Sequence, residues 1–357
     1  MKINKLILTA LAGSLFFVSC NSDDDSNDRP SGAYDNGMLI INQGNFGQGN
    51  STVSFLSDDL VLENNIFAAV NPGRILGDTA QDIGLKGDLA YIVMNASNKI
   101  EIVNRYTFAY VGTISQGLDN PRYIAFHNNK AYVTNWGNGG VTSDDYVAVI
   151  DLTSNTVTSE IAVAEGPERI LEENGRLYVT HKGGYGYGNS VSVINASTST
   201  LVTTIAVGDV PNTMYEDDNR LYVLCEGKPS WAPTPETSGS LVVINLSNNA
   251  VTSTLPFTGT SHPSNLVIED NKIYFTEGSD IYTMAKNATA LPSAPLFTTE
   301  EQGVYGVSAF AVEDSRIYVG DATDFNSNGK VYVYPMTGGT PQELTVGITP
   351  AGFYFND

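Results

Sequence analysis

The chain has 357 residues, 41% hydrophobic and 16% charged, with 34 glycines, 19 tyrosines and 14 phenylalanines beside 18 basic and 39 acidic residues. That length can bury a large core as one repetitive domain or two ordinary ones, and the scarcity of helix-forming runs among so many aromatic, Ser, Thr and Asn residues favours β-structure. A net charge of −21 repels phosphate backbones and anionic lipid, which argues against nucleic-acid binding and against peripheral docking on membranes.

In chain order, Lys2 and Lys5 precede an apolar run over 6–18 that is too short to span a bilayer. The run ends in Phe17-Val18-Ser19-Cys20, which resembles a bacterial lipobox, with Phe17 where leucine is commoner. Residues 1–20 are therefore expected to be a signal peptide whose Cys20 is lipidated; a plain secretory signal with a chance cysteine is the other reading. The tract NSDDDSND that follows cannot bury apolar surface, so residues 21–36 are expected to form a disordered acidic tether. It also resembles the export signal that takes Bacteroidetes lipoproteins to the outer face of the outer membrane, which implies a lipid-anchored, surface-exposed protein. With Cys20 in the anchor only Cys225 remains, so no intrachain disulfide is expected.

Residues 37–357 are dominated by a repeat. PRYIAFHNNKAYVTN, PERILEENGRLYVTH, PNTMYEDDNRLYVLC and PSNLVIEDNKIYFTE align without gaps from Pro121, Pro167, Pro211 and Pro263, and two further copies start at Ala80 and Val307. Each places a tyrosine eleven positions on, at Tyr91, Tyr132, Tyr178, Tyr222, Tyr274 and Tyr318. Within a unit, alternating Val, Ile and Tyr with Ser and Thr predicts four short strands, A to D: for the unit from Pro167 these are 169–172, 176–180, 190–195 and 202–207. Four strands per unit of roughly 40–45 residues is the signature of a propeller. Residues 38–69 supply strands B, C and D without an A, and Pro350–Phe355 supplies an A alone. Joined, they make one mixed blade and leave no free sheet edge. The expected fold is all-β, a seven-bladed β-propeller of four-stranded antiparallel blades.

Tyr132-Val133-Thr134-Asn135 is the signature of the YVTN-type (YncE-like) propellers. The segments GMLIINQGNFGQGNSTVSF, NASNKIEIVN, NPRYIAFHNNKAYVTNWG and ITPAGFYF resemble the surface propeller lipoproteins of Bacteroidetes, of which the cobalamin-binding BtuG type is the best known. That resemblance implies a non-catalytic protein that captures a nutrient, a cobalamin or related corrinoid, for a TonB-dependent outer-membrane transporter. It implies no resident cofactor, and the lipid anchor would be its only membrane contact.

The two faces of such a ring read differently. The A–B turns, such as Glu172–Gly175 and Glu216–Asn219, are short, polar and acidic. The B–C loops are long and rich in glycine and aromatics: 42–50, 135–146, 181–189, 225–239 and 321–329 hold Phe46, Trp136, Tyr185, Tyr187, Trp231 and Phe325. Elaborated loops on a rigid scaffold are where binding concentrates. The A strands begin on the same face and offer amides and charges there, including Asp82, Arg122, Glu168, Arg169, Asn212 and Asn265, with Asn95 nearby. Trp136, Tyr185, Tyr187 and Trp231 are expected to give apolar contact, and Arg122, Arg169, Asn212 and Asn265 directional hydrogen bonds. Arg122 pairing with Glu168 across blades is the alternative for those two.

Two further readings stay open, a lactonase-type hydrolase and a protein–protein scaffold without a small ligand. Metal-assisted hydrolysis needs several converging carboxylates or histidines, and only Asp82 and Glu168 qualify in the ring. Asp324-Phe325-Asn326-Ser327-Asn328-Gly329 matches half of a calcium loop, making Asp324, Asn326 and Asn328 a weak metal candidate, but Pro335 stands where the bidentate Glu belongs.

Overall fold

The computed structural model describes residues 31–357; the signal peptide, Cys20 and most of the expected tether lie outside the described residues. Seven four-stranded antiparallel sheets are arranged as a β-propeller. Six are contiguous in sequence, and we number them blades 2 to 7: 80–114, 121–162, 167–206, 211–256, 264–298 and 307–348. Blade 1 is the mixed one. Its innermost strand is Pro350–Phe355, followed outward by Gly37–Asn42, Thr52–Ser57 and Leu62–Glu63. Ile40 pairs with Phe353 and Met38 with Phe355, the register the repeat demands.

Local chemistry sets the blade edges. Four of the A–B hairpins turn on two residues that both have positive φ, Asn174-Gly175, Asp218-Asn219, Asp270-Asn271 and Asp314-Ser315. This backbone matches the twist of the flanking strands, and Asn, Asp and Gly adopt it most cheaply. The C strands of blades 2 to 5 end in Asn104, Asp151, Asn195 and Asn245, whose side-chain oxygens accept backbone N–H groups two or three residues on. Such Asx turns reverse the chain without leaving donors unpaired.

The repeat tyrosines form the seams between blades. All six are at most 5% exposed, and each packs with residues of the following blade: Tyr132 with Ile170, Leu177 and Val179, and Tyr178 with Met214, Leu221 and Val223. Tyr318 carries the series into blade 1, against Met38, Ile40 and Phe353. Tyr132 donates its hydroxyl proton to the Ala196 carbonyl, so its polar end is satisfied where the ring is buried.

Two expectations need correction. The outer strand of blade 1 is only Leu62–Glu63, and the chain then forms a short helix, Ile66–Val70, after Asn65 at φ 55°. Outermost strands are largely exposed; along Thr200–Ala206 only Ile205 is buried. Successive strand residues point to opposite faces, so a continued strand could bury at most one of Ile66 and Phe67 on its neighbour; as helix residues both are buried. The tether also ends sooner than residue 36. Tyr34 is 4% exposed, packs edge-on against Phe55 and Phe108, and its N–H donates to the Tyr106 carbonyl at 2.9 Å.

Asn356 clasps the closure. It is fully buried; its amide nitrogen donates to the carbonyls of Tyr34 and Arg105, and its side-chain oxygen accepts from Arg105 Nε at 2.6 Å. Its backbone N–H donates to the Gly37 carbonyl at 2.7 Å. Replacing this side chain strands several buried partners, each unmade bond costing about 1–3 kcal/mol. Asn356→Ala should therefore lower the stability measured by urea unfolding by roughly 2 kcal/mol or more, whereas Tyr305→Ala, on an exposed loop, should stay within about 0.5 kcal/mol.

Candidate functional site

The loop end of the central channel is built by one recurring irregularity. In blades 2 to 7 the A–B pairing shifts register just after the A strand begins, between Ala80 and Asp82, Pro121 and Ile124, Pro167 and Ile170, Pro211 and Thr213, Ser264 and Leu266, and Val307 and Ala309. A bulge re-aims the side chains beside it, and here those are the amides and charges expected to ring the channel mouth. The result is a polar cavity of about 410 Å³ lined by Gln81, Arg122, Glu168, Arg169, Asn212 and Asn265 among others. Larger depressions exist, such as a groove of about 680 Å³ between blades 2 and 3, but they are shallow troughs along outer strands without convergent charged groups.

A second cavity of about 460 Å³ adjoins the first and shares Lys182, Glu226 and Ser264 with it. Tyr185, Tyr187, Trp231 and His262 line it. The glycines of the 181–189 loop make its wall possible. At Gly183, φ 103°, a Cβ would lie 2.3 Å from the Gly188 nitrogen, and one on Gly166 would meet Gly184 N at 1.7 Å. The loop is also tied down, Tyr185 N–H donating to the Gly139 carbonyl of the neighbouring blade at 3.2 Å. Across the cavity, His262 Nδ1 lies 2.8 Å from the Glu226 carbonyl and its Nε2 3.1 Å from Glu236, fastening the loop that carries Trp231.

Electrostatics in the channel centre on blades 2 to 4. Arg122 makes a bidentate pair with Glu168, at 3.1 Å and 2.8 Å, and lies 4.2 Å over the Trp136 ring. Burial would raise the Glu168 carboxyl, but Arg122, backed by Lys182 and Arg169, holds it below its ordinary value. Asp82 is raised by burial, offset in part by the Ile124 N–H, the charge of Arg169 and the Tyr354 hydroxyl. Both its oxygens are occupied, by Ile124 N and Tyr354 Oη, each at 2.9 Å. Arg169 stacks 4.1 Å over Tyr123.

The expected site residues divide accordingly. Tyr185 and Trp231, 76% and 82% exposed, are available for contact, with Tyr187 half-buried beside them. Trp136 is not a contact residue: it is buried, donates Nε1–H to the Pro167 carbonyl at 3.0 Å, and supports Tyr185 edge-on and Arg122 face-on. Asn95 is likewise structural, its amide bridging to Asn120 and the Pro121 carbonyl. Asp82 joins blades rather than facing the cavity. Asn265 lines the cavity but binds Thr276 and the Val307 carbonyl, and Asn212 donates to Glu226. Phe46 and Phe325 are exposed and neighbours, Asn45 donating to the Phe325 carbonyl at 2.7 Å, but they line neither cavity.

Asp324 is occupied within its own loop. It accepts the N–H groups of Asn326 and Ser327, which lower its carboxyl, and the Ser327 hydroxyl. Among the described residues no group of three or more His, Cys, Asp or Glu could hold a metal ion. Burial pushes the Cys225 thiol up to about 12, so it is a packed, protonated residue. Sequence reasoning missed Lys182 and Glu226. Their signal was positional: they fall four residues past Tyr178 and Tyr222, where Asn95 and Trp136 fall in blades 2 and 3.

A family model described as "Domain of unknown function (DUF5074)" matches residues 36–346, and the chain belongs to that family. No curated protein matches it. Among solved structures, a quinonprotein alcohol dehydrogenase-like protein from Bacteroides thetaiotaomicron is similar at a TM-score of 0.66 and 16% identity, covering 91% of this chain and 79% of that one. A computationally designed protein, Ika8, is similar at 0.57 and 11%, covering 92% of both chains. BamB from Moraxella catarrhalis is similar at 0.50 and 15%, covering 89% of this chain and 85% of its own. At these identities the likeness is one of fold.

Two measurements probe the site's construction. Arg122→Ala leaves Glu168 charged and buried, so stability should drop by about 3–5 kcal/mol, and adding Glu168→Gln should recover part of the loss. Burial pushes His181 down to about 4, so its ring should stay neutral in NMR titrations from pH 8 to pH 5. The unfolded chain takes up that proton near the ordinary histidine value of about 6.5, so acidification from there towards pH 4 should favour unfolding at this residue.

Proposed function

We propose that this DUF5074 propeller is a surface binding protein that captures a small nutrient at its loop face without transforming it. The observation that supports this most directly is the pairing of two adjoining cavities, one polar and one aromatic, on a single face. Among the described residues, the aromatics more than half exposed are Phe46, Tyr185, Trp231, Tyr305 and Phe325, and all belong to loops of that face. Rigid aromatics give contact area at low entropic cost, while a few convergent polar groups set orientation. The A–B turns of the opposite face are short and mostly acidic or amide-bearing.

The channel carboxylates favour binding over hydrolysis: Glu168 and Asp82 are committed to hydrogen bonds that hold blades together, and Glu226 accepts from Asn212. For the ligand, we take up the corrinoid reading, which rests on the sequence resemblance, and with it delivery to a TonB-dependent transporter from a lipid-anchored position on the outer membrane. Calorimetry with cobalamin tests the ligand. Saturable heat is expected, and Trp231→Ala or Tyr185→Ala should weaken binding about ten- to thirtyfold, as for truncated aromatic anchors. No heat with cobalamin, together with metal-dependent turnover of lactones, would replace this reading with the hydrolase.

A further inference from the structure

The cations at the channel mouth are unequally served. Arg122 is paired with Glu168 through two donors, Nε and Nη2. Arg169, one residue past that glutamate, has no hydrogen-bond acceptor for its guanidinium among the described residues, and its Nε is buried without a partner. Asp82 lends it charge but gives both oxygens to Ile124 and Tyr354. Stacking over Tyr123, whose hydroxyl is itself held by Gln81 Nε2 at 2.9 Å, fixes the plane of the fork. A guanidinium donates along its edge to two oxygens at once, and burying one unmet is costly. Lys182 lines both cavities and makes no ion pair among the described residues.

We infer that the loop end of the channel is an oxyanion site, with the Arg169 fork and Lys182 receiving the carboxylate or phosphate of a ligand whose ring system lies against Tyr185, Tyr187 and Trp231 in the adjoining cavity. The inference rests on the loop face being a binding site and adds the class of ligand, a ring-bearing organic anion. The far end of the channel supports the same polarity. Its A–B turns carry Glu216, Glu269 and Glu313, raised by burial and by the repulsion of neighbouring carboxylates. An anion is repelled there, while at the loop end the lining carboxylates Glu168 and Glu226 already face Arg122 and Lys182, and the Arg169 fork is left without an acceptor. On a molecule of net charge −21, a local group of cations decides where an anion settles.

The test is calorimetry on the full chain with naphthalene-2-carboxylate, 2-naphthyl phosphate and the neutral naphthalene-2-carboxamide. At least one anion should bind about tenfold or more tighter than the amide, as charge-assisted bonds require, and the ratio of the two anions identifies the preferred head group. Arg169→Gln and Lys182→Gln should each remove most of that preference and leave the amide unaffected, and Arg169→Lys should restore it only in part. Lys182 sits on a loop, so its variant reports even if Arg169→Gln disturbs packing. Equal binding of anions and amide, retention of the preference in both Gln variants, or no binding of any probe would overturn the oxyanion site. If anions and amide bind equally and Trp231→Ala weakens both, the aromatic reading survives without the anion site. If the anion preference holds but Trp231→Ala changes nothing, the anion site stands and the aromatic reading fails.

Discussion

The structure depends on one contact made again and again, a buried residue from the second strand of each blade pressed into the face of the next, a tyrosine in six blades and Leu39 in the mixed one. A four-stranded sheet of this size cannot cover its own two faces, so each blade is stable only as its neighbour's lid. The chain of lids must close, and it closes where Tyr318 meets Phe353 and Ile40 in a blade assembled from residues far apart in sequence. Asn356 fastens the two chain ends within that blade through Gly37 and ties them to the second blade through Arg105.

A ring built this way has a rigid interior and two faces under different constraints. On the face of the A–B turns, two-residue hairpins leave little freedom beyond a choice of acidic or amide side chains. On the other, the bulge at the start of each A strand turns polar groups into the channel, and the B–C loops can lengthen without disturbing any pairing. Charge follows the same division. Glu216, Glu269 and Glu313 sit at one end, while at the other Arg122, Arg169 and Lys182 gather beside Glu168 and Glu226, Arg122 paired with Glu168 and Arg169 without an acceptor.

Much of this was legible in the residues. Strands, blade number, closing register and the identity of the crowded face all follow from a period of tyrosines, prolines and turn residues, because every repeat obeys the same local rules. The exceptions are where a residue's local rule met a particular neighbour. Ile66 and Phe67 continued a strand pattern but lie in a helix, where both are buried, whereas an outer strand buries at most one of two successive residues. Trp136 sat in a glycine-rich loop beside Tyr185 and Tyr187, yet its indole N–H found the Pro167 carbonyl of the next blade and became support rather than surface. Asn95 and Asp82 went the same way, each satisfied across a seam.

Sequence alone determined the architecture of this protein, since repeated patterning and turn chemistry act over a few residues and recur in each unit. It also determined which face would carry the long aromatic loops. Tertiary structure decided which side chains on that face remain available. Availability depends on hydrogen bonds made between blades: those bonds committed Arg122, Glu168, Asn95 and Trp136 to partners in the protein, and left Arg169, Lys182, Tyr185 and Trp231 lining the two cavities.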